Sequence, residues 1–584
     1  MKLMYKKMLG AAAFTALLGM ANLHACTNFL ITKGASKDGS TMISYAADSH
    51  VLYGELYYWP AADYPEGAML DVYEWDSGRK LGQIKQAAHT YSVVGNMNEH
   101  QLAIAETTFG GLHQLEDTTG IIDYGSLIYI TLQRAKTARE AIKVMNELVS
   151  AYGYASGGES FSISDPEEVW IMEMVGKGQK IAGKDGKPDP KRNTKGAVWV
   201  AYRIPDGYIS GHANQARITN IKPADGKTSI TSKDLAKKYN LPSVECIYAY
   251  DVVDYAKAIG LYNGKFEDFS FSDTYCPLSF SGMRGCEARV WAGFMKANPE
   301  AVKEYEDYAR GENAAHRMPL WIKPNRKLTL DDAFDFMRDH YEGTSLDMTK
   351  DLGAGPFACP YRWRPMDFEV DGNRYIHERA ISTQQTGFSF IAQCRSWLPR
   401  QIGGILWFGV DDTYSTCYAP MYCGITEIPL CFRVGNGDMA TYSPTSAFWL
   451  FNLVTNFAYG RYKDMIVDIQ KVQKSLESRF QAEVARNDAN WKNEKDPARL
   501  IAFANEFSNA QAQTMFNEWK QLSEFLLVKY IDGNVKKTDE KGRFKTTPYG
   551  ADRIEMPEWP PYPEFWYRKI VEDCGENIKE HEVR

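Results

Sequence analysis

The chain has 584 residues, of which 44% are apolar and 13% aromatic, so it can bury a large core in more than one structural unit. This composition excludes a disordered protein. The formal charge of −7 is spread without long runs of one sign, which argues against a nucleic-acid-binding protein and gives no membrane-surface signal beyond the first residues. The expected partner is a small molecule or a peptide.

The first 25 residues have the pattern of a secretory leader. Three lysines precede an apolar run from Met8 to Met20, and a short segment ends at Ala25, directly before Cys26. The run is too short to span a bilayer comfortably, and no later stretch has the ~18 uninterrupted apolar residues that a transmembrane helix needs. We therefore expect residues 1–25 to be a signal peptide and the mature protein to be exported, periplasmic or extracellular.

After the leader, two apolar segments predict a β-hairpin. The segments at 26–32 and 41–45 read as strands, and the loop between them contains an Asp-Gly pair. If the turn centres near Lys37, the numbers of facing residues sum to about 74, which places Asp48 opposite Cys26. The sequence alone thus brings a carboxylate toward the first residue of the mature chain.

One helix and two further hairpins are predicted next. Thr137 and Glu140 form a capping box for an amphipathic helix that ends at Gly153. Two strand pairs then flank an Asp-Pro turn and a Pro-Asp-Gly turn. These strands are expected at 160–164, 169–175, 198–204 and 208–218. Because hairpins and helices come in separate runs, the pattern favours α+β layers over βαβ repeats.

The second half of the chain is richer in helical patterns. Residues 298–351 are helix-rich and charged, which fits an insertion or a cap over the sheet layers, and long helical patterns dominate from Thr445 onward. The predicted division of the chain is therefore a leader at 1–25, a main domain at 26–440 that contains the insertion, and a helical C-terminal region at 441–584.

The motifs of several common site types are missing from the sequence. It has no H-E-x-x-H, no G-x-S-x-G, no Walker loop and no C-x-x-C, and its ten histidines are scattered. Nine cysteines follow Cys26 without a zinc-binding spacing, and we interpret them as buried or paired structural thiols. We therefore expect no metal and no cofactor.

Cys26 is the remaining candidate for a catalytic residue. As residue one of a mature chain it would place a thiol beside a free α-amine, whose reference pKa of about 8 suits a general base at neutral pH. The reference pKa of the thiol, about 8.5, lies close by, so transfer of its proton to the amine costs little. One residue can supply both nucleophile and base, but a cysteine after a leader is at least as often a lipid attachment site.

Six blocks of sequence occur in the same order in one known family. They are CTNFLITKGASKDGSTMISYAADS from Cys26, VVGNMNEHQLAIAETTFGG from Val93, RAKTAREAI from Arg134, GYASGGESFSISDPEEVWIMEM from Gly153, VWVAYRIPDGYISGHANQARI from Val198 and RSWLPRQIGGILWFGVDD from Arg395. Together these blocks resemble the dipeptidase A-like family of N-terminal-nucleophile (Ntn) cysteine peptidases. The resemblance covers most of residues 26–425. Several blocks in the same order are far less expected by chance than a single motif.

The resemblance implies an α+β fold of a particular kind, the four-layer αββα sandwich, with residues 26–440 as the Ntn-hydrolase catalytic domain. Bile-salt and penicillin V acylases are more distantly similar and share this fold and an N-terminal cysteine. By the same resemblance, Cys26 is the nucleophile and Asp48 the acidic residue that hydrogen-bonds near the amino terminus. Asn214 matches the oxyanion asparagine and Arg289 an active-site arginine. No substrate-binding residue is assigned.

The sequence departs from its relatives at two positions near these residues. The arginine that often stands three residues before the aspartate is Tyr45 here, which removes a cation that would support a thiolate. The distant acylases place another oxyanion asparagine where this chain has Thr108, so a hydroxyl or a backbone N–H would have to serve instead.

These observations predict an exported cysteine dipeptidase that acts on dipeptides or short peptides. The runner-up is an Ntn acylase that acts on a non-peptide amide. A rival from another class is a non-catalytic, peptide-binding lipoprotein anchored at the cell surface, because the residues before Cys26 also approximate a lipobox and lipidation would acylate the amine that should act as base. The sequence leaves open whether the chain forms a homo-oligomer.

Overall fold

The computed structural model describes residues 26–189, 192–193 and 195–581, so the leader predicted at 1–25 lies outside the described residues. The strands of the described part, in chain order, are β1 (Asn28–Ile31), β2 (Thr41–Asp48), β3 (Tyr58–Trp59), β4 (Ala62–Asp63), β5 (Met69–Tyr73), β6 (Lys80–Lys85), β7 (His89–Thr90), β8 (Val93–Val94), β9 (Met97–Asn98), β10 (Ala103–Gly110), β11 (Gly158–Ser164), β12 (Val169–Gly176), β13 (Ala197–Arg203), β14 (Ile209–His212), β15 (Ser229–Thr231), β16 (Cys246–Tyr248), β17 (Trp321–Ile322), β18 (Asp367–Val370), β19 (Asn373–Ile376), β20 (Thr386–Cys394), β21 (Gly404–Val410) and β22 (Ala419–Tyr422).

The α-helices are distributed along the whole described chain, and the longest lie near its end. They span Tyr124–Leu132, Ala138–Tyr152, Leu235–Lys238, Val252–Ala258, Phe271–Tyr275, Ala288–Ala297, Pro299–Val302, Glu306–Ala309, Leu330–Met337, Arg400–Gly403, Ala447–Ala458, Tyr462–Trp491, Pro497–Tyr530 and Glu564–Ile578. Among the residues described, no helix is long and apolar enough to cross a membrane.

Two large sheets form the centre of the molecule. One has seven strands in the order β17-β14-β1-β2-β20-β21-β22, and the other has nine in the order β15-β16-β13-β12-β11-β10-β9-β8-β3. Strands β1 and β2 contact β10 and β11 across the interface between the sheets. Helices Tyr124–Leu132 and Ala138–Tyr152 contact the nine-stranded sheet, whereas Leu330–Met337 and Pro497–Tyr530 contact the seven-stranded sheet. The predicted α+β class is therefore confirmed.

The first predicted hairpin is present, but its register differs from the prediction by one residue. Facing pairs such as Thr27 and Ala46, or Leu30 and Ile43, have numbers that sum to 73 rather than about 74. The turn centres earlier because the backbone N–H of Ser36 bonds back to the carbonyl of Thr32. The expectation that Asp48 lies directly opposite Cys26 is therefore wrong, and Asp48 comes one residue beyond the position that faces Cys26.

The predicted helix after Thr137 is confirmed as Ala138–Tyr152, with half of its capping box. The Thr137 hydroxyl accepts a hydrogen bond from the backbone N–H of Glu140 at 3.2 Å. The Glu140 carboxylate accepts from the backbone N–H of Lys136 instead of Thr137. Gly153 ends the helix with a φ of +80°, a left-handed conformation that suits glycine.

Of the two later hairpins, one is confirmed and the other is wrong. Strands β11 and β12 pair around the predicted Asp-Pro turn. Strands β13 and β14, however, lie in different sheets, and β14 pairs with β1. The Pro-Asp-Gly turn carries the chain between the sheets because Gly207 donates its backbone N–H to the hydroxyl of Thr32 in the β1–β2 loop, at 3.0 Å. Strand β14 also ends at His212, before the predicted end at residue 218.

The helical predictions for the second half of the chain are confirmed only in part. Residues 298–351 contain only short α-helices and supply β17, an edge strand of the seven-stranded sheet. The long helices Tyr462–Trp491 and Pro497–Tyr530 confirm the helical character after residue 445. The division into domains at residue 440 stays a prediction.

Candidate active site

A cavity of about 240 Å³ lies beside the end of β2, and Cys26 is part of its wall. The thiol residue is only 5% exposed. The lining is mostly aromatic and acidic, and it comprises Cys26, Tyr45, Ala47, Asp48, Ser49, Val51, Leu52, Tyr53, Tyr57, Trp75, Asp76, Glu106, Thr108, Tyr124 and Phe388. Two of the four predicted site residues, Cys26 and Asp48, therefore face one cavity.

The sulfur of Cys26 is surrounded by hydrogen-bonding groups. The Tyr45 hydroxyl lies 3.7 Å from Sγ and Glu106 Oε1 lies 3.8 Å from it, while the backbone N–H of Asp48 also donates to the sulfur. Burial raises the pKa of the Cys26 thiol, and the negative charges of Glu106 and Asp48 raise it further. The raised pKa favours the protonated thiol over the thiolate.

Asp48 lies at the end of β2, where a bulge shifts the pairing with β20. Bulges re-aim side chains, and here the carboxylate accepts hydrogen bonds from the Thr386 hydroxyl at 2.6 Å and from Nη2 of Arg379 at 2.7 Å. Burial raises the pKa of Asp48, and Arg379 opposes that rise. The backbone of Asp48 thus contacts the sulfur of Cys26, whereas its carboxylate forms a buried ion pair with Arg379.

Arg289 connects two of the other predicted residues. It lies near the start of helix Ala288–Ala297, directly after a π-helical segment at Gly282–Glu287, an irregularity that is frequent at functional sites. Its Nη1 donates to the carbonyl oxygen of Cys26 at 2.7 Å, and its Nη2 donates to Oδ1 of Asn214 at 2.8 Å. With 1% exposure, the guanidinium is a buried clamp between Cys26 and Asn214.

The amide of Asn214 is fixed at both ends. The residue follows β14 with a φ of +59°, in the left-handed region that asparagine tolerates better than most residues. Because Oδ1 accepts from Arg289, Nδ2 faces the other way and donates to the carbonyl oxygen of Thr108 at 2.6 Å. The structure therefore brings all four predicted site residues into one connected region.

Residues 25–475 of the chain match the family model of peptidase family C69. The chain belongs to this family of cysteine peptidases. The prediction of the family is confirmed, and so is the prediction that the protein is a hydrolase of peptide bonds.

Curated relatives of this C69 peptidase cover most of its length. It is 25% identical to a "Probable dipeptidase" of Latilactobacillus sakei over 85% of this chain and 93% of the relative. It is 24% identical to a "Probable dipeptidase" of Salmonella dublin over 74% of this chain and 88% of the relative. A "Probable dipeptidase B" of Lactococcus lactis is 23% identical over 82% and 91%.

Tyr45 and Thr108 both take part in hydrogen bonds around Cys26 and Asn214. The Tyr45 hydroxyl donates to Oε1 of Glu106, and burial raises its pKa, so it stays neutral. The Thr108 hydroxyl donates to Oε1 of Glu159 at 2.7 Å, and its backbone carbonyl accepts from Asn214. Tyr45 is therefore a neutral hydrogen-bond donor beside Cys26.

Glu106 and Glu159 form an acidic pair that sequence reasoning missed. They lie on the adjacent strands β10 and β11, and both are at most 2% exposed. Burial, together with the neighbouring Glu106 charge, raises the pKa of Glu159 well above its usual range. The raised pKa favours the protonated form of Glu159. In the sequence each glutamate is only a charged residue among small, hydroxyl-bearing and apolar residues, and nothing local pairs the two.

Proposed function

We propose that the protein is an exported cysteine dipeptidase in which Cys26, as the first residue of the mature chain, is the nucleophile. One observation carries this proposal: the Cys26 thiol lines a cavity, and the buried Arg289 clamp joins the same residue to Asn214. The relatives from Latilactobacillus sakei, Salmonella dublin and Lactococcus lactis are each named a probable dipeptidase, and these names support the same reaction.

The arrangement of layers supports the four-layer αββα sandwich of Ntn hydrolases. Two sheets face each other through β1, β2, β10 and β11, and helices contact each of the two sheets. In such a fold the first residue of the mature chain starts a strand of the central layers, and Cys26 lies two residues before β1. We therefore assign residues 26–440 to the catalytic domain.

In the proposed reaction Cys26 supplies both the nucleophile and the base. Its α-amine takes the thiol proton as Sγ attacks the peptide carbonyl carbon, and the carbonyl π electrons move onto the oxygen. The amine then returns the proton to the leaving nitrogen as the C–N bond breaks, which leaves a thioester. Water, deprotonated by the same amine, attacks the thioester and releases the acid, and the proton returns to the thiolate.

Asn214 is the residue that we assign to the oxyanion. An asparagine amide has two N–H donors, and one of them is bonded to the Thr108 carbonyl. We assign the second to the tetrahedral oxygen, and the hydrogen bond from Arg289 fixes the orientation of the amide. Arg289 therefore acts as a positioning residue for both the nucleophile and the oxyanion donor.

The dimensions of the cavity favour a short substrate. At about 240 Å³ it is smaller than the roughly 300–1,000 Å³ of sites for drug-sized ligands. A dipeptide fits such a volume better than a long peptide or a bulky amide of the kind that acylases cleave. The acylase alternative is therefore less well supported than the dipeptidase.

The proposal is tested by two measurements on one exported sample, its intact mass and its turnover of dipeptides. A chain that begins at Cys26 without added mass, and that loses all turnover on Cys26→Ala, is the expected result. Cys431→Ala, which removes another buried thiol, is the matched control and should stay active. A diacylglyceryl or N-acyl mass increment would favour the lipoprotein and overturn the mechanism.

A further inference from the structure

The charged side chains in the wall of the catalytic cavity have one sign. Its lining contains the carboxylates of Asp48, Asp76 and Glu106, and no lysine or arginine lines it in the described part of the chain. Arg379, which is not among the lining residues, forms an ion pair with Asp48 and balances its charge. Asp76 lies at the exposed rim and Glu106 at the buried end. The cavity therefore favours a cationic group over an anionic one.

We propose that Glu106 binds the α-ammonium group of the substrate, so that the enzyme acts on peptides with a free amino terminus. This inference rests on the proposed function, in which Cys26 attacks the first peptide bond. It assigns to Glu106 the specificity for the substrate, and it assigns to Glu159 the positioning of Glu106.

The distance between the nucleophile and Glu106 selects the α-nitrogen. Glu106 Oε1 lies 3.8 Å from Cys26 Sγ. A carbonyl carbon poised for attack lies about 3–3.5 Å from the sulfur, and a charged hydrogen bond spans about 2.8 Å. The α-nitrogen of the same residue is two bonds, about 2.5 Å, from that carbon, so both contacts can form at once. A side-chain ammonium is joined to that carbon through several more rotatable bonds, so fixing it at Glu106 would cost more conformational entropy.

The neighbours of Glu106 fix the direction of its carboxylate. Tyr45 donates a hydrogen bond to Oε1 without neutralising it, whereas an arginine at that position would place a cation where the substrate ammonium has to bind. Glu159, protonated because of its burial and the charge of Glu106, is hydrogen-bonded to Glu106. Tyr45 thus supplies a neutral donor that leaves room for an ammonium group beside Glu106.

Aromatic rings complete the environment for a cation. Trp75, Tyr57 and Tyr124 line the same cavity as Glu106, and Tyr124 donates its hydroxyl to Asp76 at 2.9 Å. Ring faces attract ammonium groups, which adds to the attraction of the carboxylate. Because the charge of Glu106 also raises the pKa of the Cys26 thiol, an ammonium that offsets this charge eases the removal of the thiol proton.

The test compares two compounds of the same shape on the mature enzyme. In isobutyryl-L-alanine a methyl group replaces the ammonium group of L-alanyl-L-alanine, and nothing else differs. We expect the parent to prefer alanyl-alanine by about 100-fold or more in kcat/KM. In Glu106→Gln, which keeps the side-chain shape, this preference should fall by about tenfold or more.

The outcomes separate the inference from the proposed function. Equal kcat/KM of the parent for the two compounds would overturn the ammonium site while leaving the peptidase intact, and this comparison needs no variant. The same preference in Glu106→Gln as in the parent, with an unchanged melting temperature, would also overturn it. If the parent cleaves neither compound above the background of Cys26→Ala, the proposed function and the inference both fail.

Discussion

Arg289 donates a hydrogen bond to the carbonyl oxygen of Cys26, at 2.7 Å, from a helix that lies 263 residues further along the chain. The contact fixes the backbone of the residue that we propose as the nucleophile. Since the guanidinium is buried and has several donors in a rigid plane, it can hold this carbonyl and the amide of Asn214 at the same time. The position of Cys26 therefore depends on a distant part of the sequence.

The first prediction concerns this clamp. Arg289→Lys keeps the charge but cannot bond Cys26, Thr27 and Asn214 together, because a lysine ammonium lacks the planar fork. We expect kcat for a dipeptide to fall about 100-fold, the cost of a misplacement of around 1 Å, while circular dichroism stays native. Unchanged kcat in the folded variant would show that the clamp has no part in positioning.

The second prediction concerns the oxyanion donor. Asn214→Gly removes the amide but accepts the φ of +59°, so it avoids the backbone strain that alanine would add. We expect kcat to fall by roughly 10²–10³ with little change in KM, the usual cost of one lost oxyanion donor. A change confined to KM would mean that Asn214 binds substrate and that the oxyanion is stabilised elsewhere.

Local patterns explain what the sequence could predict about this site. The β1–β2 hairpin follows from alternation and turn residues over about twenty positions, so Cys26 and Asp48 were brought together with an error of one residue. The error arose because the register depends on the hydrogen bonds within the loop, which no residue pattern specifies. The resemblance to relatives, rather than any local pattern, supplied Asn214 and Arg289.

Long-range pairing explains what the sequence could not predict. Arg379, the ion-pair partner of Asp48, is 331 residues away from it. Glu106 and Glu159 lie on neighbouring strands that are joined through two helices instead of a tight turn, so their pairing had no local signal. The sequence predicts that β14 pairs with β13. This prediction is wrong because the turn before β14 bonds to the β1–β2 loop, a tertiary contact.

The third prediction follows from the causes of the raised thiol pKa. A raised pKa lowers the thiolate fraction at any given pH, and Glu106 is the largest charge effect on Cys26 after burial. Glu106→Gln should therefore shift the pH profile of Cys26 alkylation by iodoacetamide to lower pH. Glu147→Gln, on the exposed face of helix Ala138–Tyr152, is the control and should leave the profile unchanged. A shift to higher pH in Glu106→Gln would contradict the assigned cause.

The last prediction tests the nitrogen of Cys26 separately from its sulfur. A mature chain with one alanine added before Cys26 keeps the thiol, but the nitrogen becomes an amide, which cannot accept a proton at neutral pH. We expect this chain to hydrolyse dipeptides no faster than Cys26→Ala. Iodoacetamide should still modify Cys26, because the thiol remains present in the cavity wall. Hydrolysis within tenfold of the parent would show that the base is another group, and the cavity carboxylate of Glu106, 3.8 Å from the sulfur, would then be the first residue to substitute.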